Sequence, residues 1–191
     1  MEIQNIRKIT KSKHLNLFSI NYKDRKNQNK NWVFASRSDS DNPLASTGEN
    51  PDVVIIVPFH TTEKKIVIIK EYRVPIGAYQ YGFPAGLVDK GESIEETAKR
   101  ELFEETGLEL IRIIQSSPRG FSSAGMTDES ISLVFAECKG SPSNRFNEDS
   151  EDITSIMVSK EEVLSLMNDS TIKWDIKTWI VLNSFAGRGN F

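Results

Sequence analysis

Hydrophobic residues along the chain fall into short runs that polar stretches separate. The densest are Val53–Phe59 and Lys65–Tyr72, joined by the polar HTTEK. Short, β-branched apolar runs of this kind read as buried strands. Ser130–Glu137 and Ile153–Val158 read the same way, and Leu110–Gln115 as a shorter strand. The N-terminal part holds three weaker β-like segments, Ile3–Ile9, Leu15–Tyr22 and Trp32–Ser36, the last two joined by KDRKNQNKN. Alternation in LNLFSINY sets Leu15, Leu17, Ser19 and Asn21 on one face and Phe18, Ile20 and Tyr22 on the other, as in a hairpin or small sheet. Residues 37–52 are rich in Ser, Asp, Asn, Gly and Pro and form a loop. Val74–Tyr79, with Pro75 and Gly77, reads as a turn, and Gln80–Pro84 as a short extended segment.

Helical periodicity is clearest at Ile94–Thr106. Ser93 is placed to cap it and Glu96 to close a capping box. Gly107 is a left-handed stop, and Leu108 can fold back onto the helix. Ile94, Ala98 and Leu102 make the inward stripe. Ser159 and Glu162 start a second helix running to about Met167. Asp175 starts a third, which ends near Ala186 and Gly187 and holds Trp179. Trp179 and the preceding Trp174 are expected in the core. The expected class is therefore α+β. Residues 1–50 would form an N-terminal β subdomain, and residues 51–191 the main domain.

Composition narrows the function. The chain has 191 residues and a net charge of −3, which argues against a nucleic-acid partner, since phosphate backbones select basic surfaces. The lone cysteine, Cys138, precludes an internal disulfide and fits a cytoplasmic location. MEIQNIRKIT has no apolar stretch of signal-peptide type, and no run is long enough to span a membrane. No membrane association is expected. His14 and His60 have no metal-ligand spacing.

The chemistry concentrates in Gly86–Leu108. Glu101, Glu104 and Glu105 stand at i, i+3, i+4 and share one helical face. Each like-charge pair costs about 0.2–0.5 kcal/mol in an isolated helix. Arg100 offsets part of this. A hard divalent cation would offset more, because Mg²⁺ takes carboxylate oxygens together with substrate phosphates. Without the flanking residues, such a face would read as merely solvated.

Those flanking residues complete a pattern. Gly86, Glu92, Arg100, Glu101, Leu102, Glu104, Glu105, Gly107 and Leu108 fit G-x5-E-x7-R-E-U-x-E-E-x-G-U, where U is bulky and aliphatic, without a gap. The stretch resembles the Nudix box, which implies a Nudix-type α/β/α sandwich with a mixed sheet and hydrolysis of a nucleoside diphosphate linked to another group. KEYRVPIGAYQYGFPAGLVDKGES resembles the ADP-ribose pyrophosphatase branch. That resemblance implies Mg²⁺, with Mn²⁺ as an alternative, held by the Ala85 carbonyl, Glu101, Glu105 and Glu151, with Glu104 nearby. Arg100 would orient the glutamates. Arg73 would bind substrate phosphate, for which a guanidinium fork is suited. The catalytic base would be Glu148 or Asp149, with Glu129 a weaker competitor. Trp32, Phe34 and Arg37 would stack on or flank adenine. The small-molecule partner would be a nucleotide sugar, and the N-terminal strands would pair in a homodimer.

Two positions depart from that branch. A glutamate usually stands four residues before the box glycine, where this chain has Gly82. A Ser-Pro-Gly loop is written here as Ser117-Pro118-Arg119-Gly120. Both keep a UDP- or GDP-sugar substrate open. An ADP-ribose-binding sensor without catalysis is a third reading, disfavoured by the acidic charge and the intact glutamates.

Overall fold

The computed structural model describes residues 1–45 and 50–187. The chain forms two compact units, one comprising residues 1–52 and 119–131, the other residues 53–118 and 132–191. The segment 119–131 thus folds with the N-terminal strands and not within an uninterrupted domain of residues 51–191.

In the first unit, β1 (Glu2–Lys8), β2 (Asn16–Lys23) and β3 (Asn29–Ser36) form an antiparallel three-stranded sheet in that order. Phe18 is fully buried against Phe34, their ring centroids 5.7 Å apart, and Leu17 is exposed. The alternation in LNLFSINY therefore points the Phe18 face inward. The β2–β3 turn is tighter than the polar run suggests. Asp24 accepts from the backbone N–H groups of Lys26 and Gln28, and Asn27 takes a left-handed φ of 60°, so β3 starts at Asn29. A 3-10 turn follows at Pro43–Ala45.

The second unit is built on β4 (Val53–His60), β5 (Lys65–Arg73), β6 (Ala78–Gly82), β7 (Ala85–Leu87), α1 (Ile94–Thr106) and β8 (Glu109–Ser116). A two-residue strand β9 (Gly120–Phe121) pairs with the start of β10 (Ser130–Lys139) within the first unit. β11 (Ile153–Val158), α2 (Lys160–Met167) and α3 (Ile176–Phe185) complete the chain. The main strand order is β11-β5-β4-β10-β8, with β6 on β5 and β7 on β4.

Successive strand residues face opposite sides, and both sides of this sheet are covered. Val54, Ile56, Val134 and Ala136 pack with Ala98 of α1, and Val67 and Cys138 with Leu102 and Leu108. On the other face, Val57, Phe59 and Ile66 line an apolar groove with Ile180, Val181 and Phe185 of α3. Helices on both faces make the α/β/α sandwich of the expected α+β class.

One core expectation fails. Trp179 is 36% exposed, as are its helix neighbours Ile176 and Ile180 to a greater degree. Thr178 and Leu182, at i and i+4, are the buried pair of α3, which turns Trp179 outward. Trp174 is half-buried, its ring 5.5 Å from that of Tyr81. Among the described residues no helix is long and apolar enough to cross a membrane.

Candidate active site

α1 begins and ends where local chemistry dictates. Ser93 Oγ accepts from Glu96 N–H, and Glu96 accepts from Ser93 N–H in return. Gly107 ends the helix with φ 70°, a backbone state that L side chains rarely adopt. With Ala98 and Leu102 buried inward, the adjoining helical face carries the glutamates.

Arg100 organises that face. Its Nε donates to Glu92 Oε1 (2.9 Å) and its Nη2 to Glu92 Oε2 (2.8 Å) and to the Leu87 carbonyl (3.1 Å). Its Nη1 donates to Glu101 Oε1 (2.6 Å) and Glu104 Oε2 (3.2 Å). A fork–fork bond of this kind fixes geometry as well as charge. The Arg100 bonds, supported by Thr97 Oγ1, hold the Glu92 carboxyl down to about 2. Glu92 is the first glutamate of the motif, whose spacing alone gives it no role. Its role here is to anchor the arginine that positions Glu101 and Glu104.

Glu105 is buried, at 4% exposure, and accepts from Ala85 N–H at 3.0 Å. Burial pushes its carboxyl well above the ordinary range, and Glu101, Glu71 and Glu151 add to the rise against that hydrogen bond. Glu101 is likewise raised, first by burial and then by Glu104 and Glu151, with Arg100 opposing. The Glu151 carboxyl is raised by burial, then by Glu148, Glu71 and Glu104, with Glu148 N–H opposing. These mutual effects define a cluster of carboxylates that includes Glu71 of β5, which the sequence reading passed over. The available signal was the Lys70-Glu71 charge pair that follows the apolar run of β5. Gly86 has a steric reason in this cluster: a Cβ there would overlap the Glu101 carboxylate.

The other expected residues are placed as follows. Arg73 ends β5, half-exposed, and its Nη1 donates to Glu71 Oε1 at 2.7 Å. Glu148 and Asp149 are exposed in the segment before β11. There Glu148 N–H donates to Glu151 Oε2 at 3.1 Å and Glu151 N–H to the Glu148 carbonyl at 3.0 Å. Trp32 and Arg37 lie in the first unit. Trp32 is 49% exposed on β3. Arg37 pairs with Glu129 at 3.0 Å in a 280 Å³ cleft that Arg119 and Phe121 also line. Trp32 is not among that cleft's residues and Phe34 is buried against Phe18, so the three side chains expected to flank adenine do not share it.

The donor set suits a hard divalent cation. It is all oxygen, and it includes the buried carboxylate of Glu105 with Glu101 and Glu151 close enough to raise it further. Among the described residues no three His, Cys, Asp or Glu side chains converge as ready ligands. Arg100 draws Glu101 and Glu104 to itself, and the Ala85 amide holds Glu105.

A helix packed on the sheet with this arginine-organised acidic face defines a class of protein. The chain belongs to the NUDIX domain family, whose model matches residues 49–180. A putative nudix hydrolase 2 of Caenorhabditis elegans is 41% identical over 81 residues, 42% of this chain and 36% of that protein. An ADP-ribose pyrophosphatase of Saccharomyces cerevisiae is 32% identical over 140 residues, 72% of this chain and 58% of that protein. The chain thus spans between about a third and three fifths of the length of these two relatives. The fold is similar to that in a crystal structure of an ADP compounds hydrolase, with a TM-score of 0.72 and 20% identity over 99% of this chain and 96% of that one.

Proposed function

We propose that this protein hydrolyses the pyrophosphate bond of ADP-ribose, giving AMP and ribose 5-phosphate, with Mg²⁺ as the activating cation and Mn²⁺ as an alternative. The observation that carries the reading is the arginine-held carboxylate cluster around the buried Glu105. The similarity to an ADP-ribose pyrophosphatase supports the substrate.

Glu101, Glu105, Glu151 and the Ala85 carbonyl are the groups that would hold the cation. When bound, it supplies charge neutralisation of the phosphate oxygens and activation of water. Arg100 keeps Glu101 and Glu104 oriented through its fork to Glu92. Arg73, now turned to Glu71, has the bidentate geometry to bind a substrate phosphate. Glu148 or Asp149, exposed on their turn, would take the proton from the attacking water. The water oxygen bonds to phosphorus, the bridging P–O bond breaks, and the departing phosphate leaves with the bridging oxygen.

A second reading, a pyrophosphatase for a UDP- or GDP-sugar, is favoured by Gly82. A Cβ there would meet nothing within 4 Å, so the place of the usual glutamate is open. We further propose that the protein works in the cytoplasm as a homodimer through its N-terminal strands.

A substrate panel with Mg²⁺ tests the choice: ADP-ribose, UDP-glucose, GDP-mannose, NADH, diadenosine polyphosphates and dNTPs, with products separated by chromatography. AMP and ribose 5-phosphate, formed with kcat/KM well above the others, are expected. Preference for UDP-glucose or GDP-mannose would replace the first reading by the second, and turnover of dNTPs alone would overturn both.

A further inference from the structure

The segment between β10 and β11, GSPSNRFNEDSED, is polar but for Gly140, Pro142 and Phe146. Phe146 is 49% exposed, and its ring lies on that of Phe103, centroids 4.5 Å apart and tilted by 35°. Phe103 is itself 39% exposed on the outer side of α1, between Arg100 and Glu104. Neither ring is among the buried residues of the core. Each covers the other instead, and such a pair gains beyond its buried area.

The contact sits where the segment needs it. At the N-terminal side, Ser143 N–H donates to the Thr106 carbonyl at 2.8 Å, and the Gly140 carbonyl meets His60 Nε2 at 3.0 Å. At the C-terminal side, Tyr79 Oη donates to Asp152, and Tyr72 N–H donates to the Asp152 carbonyl at 3.0 Å. Between these tethers, the Glu148–Glu151 turn closes on itself through its own two hydrogen bonds. Phe146 is the ring that joins this stretch to α1, two residues before Glu148 and opposite the residue that precedes Glu104.

We infer that Phe146 is a positioning residue: its stack on Phe103 clasps the segment carrying Glu148, Asp149 and Glu151 onto the helix that carries Glu101, Glu104 and Glu105. The inference rests on the proposed hydrolysis, in which acids of both elements act together. It adds a residue with no chemistry of its own that sets where the late acids stand.

The test compares Phe146→Ala, Phe146→Tyr, Phe103→Ala and the double alanine variant, with kcat and KM under Mg²⁺ and hydrogen exchange across residues 143–151. Phe146→Ala should lower kcat about tenfold, the effect of losing one aromatic pair, with KM changed less than about threefold because the segment acts on reaction rather than binding. Phe146→Tyr should restore kcat. Phe103→Ala should match Phe146→Ala, and the double variant should be no worse than either, because the rings act as one unit. Exchange in 143–151 should rise about tenfold in both alanine variants and stay unchanged in β11. Wild-type kcat in Phe146→Ala, additive losses, or unchanged exchange would overturn the clasp. If the wild type cleaves none of the panel, the proposed hydrolysis fails, and exchange alone decides the clasp.

Discussion

Replacing Glu105 by Gln separates the cost of its charge from its use. The side chain is 4% exposed and takes one N–H bond, from Ala85. Burying a carboxylate costs several kcal/mol after relaxation, and a hydrogen bond to a charged group returns about 1.5–3 kcal/mol. The uncompensated remainder is on the order of 1–3 kcal/mol. Gln has the same shape, and its amide oxygen can take the Ala85 N–H. In EDTA at pH 8 the variant should therefore melt higher than wild type, by roughly 2–10 °C for a chain of this size. The pH dependence has a definite sign. The folded carboxyl lies above its ordinary 4.5, so its protonation favours the folded state. Wild type should lose stability as pH rises above about 4.5 through the raised value, and Glu105→Gln should lack that loss. Calorimetric melts from pH 4 to 8 measure both. Added Mg²⁺ should raise the wild-type Tm and leave the variant nearly unmoved, while kcat of the variant falls by about 10²-fold or more. A variant that melts lower than wild type in EDTA, with the same pH slope, would refute the reasoning.

Two further outcomes follow from the same geometry. Gly86→Ala should displace the Glu101 carboxylate, whose flexible end can swing away, so kcat should fall about 10²-fold while the Tm shifts by less than about 4 °C; kinetics paired with a melt checks it, and unchanged turnover would count against Glu101. Glu92→Gln should lose an acid-sensitive contribution to stability. Its carboxyl, held down to about 2 by Arg100, stabilises the fold above its ordinary 4.5 and stops doing so as pH falls toward 2. The variant's stability should be flatter across that window in an acid titration followed by circular dichroism.

Local signals were readable in the sequence, and contacts between distant residues were not. Ile94–Thr106 and its caps follow from Ser93, Glu96 and Gly107, all within one helix length, and the structure reproduces them residue for residue. Strands β4 and β5 follow from apolar runs that only a two-sided burial accommodates. The place of 119–131 beside the N-terminal strands depends on pairings such as Ala35 N–H with the Met126 carbonyl, which no local pattern encodes. Glu71 lies inside the strand read at Lys65–Tyr72, and only the fold sets its charge against Glu105 and Glu151. Trp179 misled for a related reason. α3 is apolar on most sides, so periodicity could not say which stripe faces the sheet, and Thr178 took the inward position. The Phe103–Phe146 contact joins the helix to a segment far along the chain, and Phe103 stands at the unspecified x of R-E-U-x-E-E.

The concentration of carboxylates also explains why the helix needs everything around it. Arg100 can neutralise one of the four glutamates Glu92, Glu101, Glu104 and Glu105, and Glu105 is buried besides. Helix propensity alone would not hold such a segment together. The opposing terms are the reciprocal cap at Ser93 and the fully buried Ala98, Leu102 and Leu108, where each buried leucine contributes about 1.5–3 kcal/mol. The apolar stripe and the acidic face are thus one device. The stripe fixes the helix against β4, β5 and β10 firmly enough that repulsion among the carboxylates cannot turn or unwind it. The unrelieved charge then remains where it would draw a cation, and only through that cation a phosphate. On this argument, weakening the stripe should loosen the carboxylates before it unfolds the chain, and substitutions that remove charge should stabilise the helix at the expense of what the charge is for.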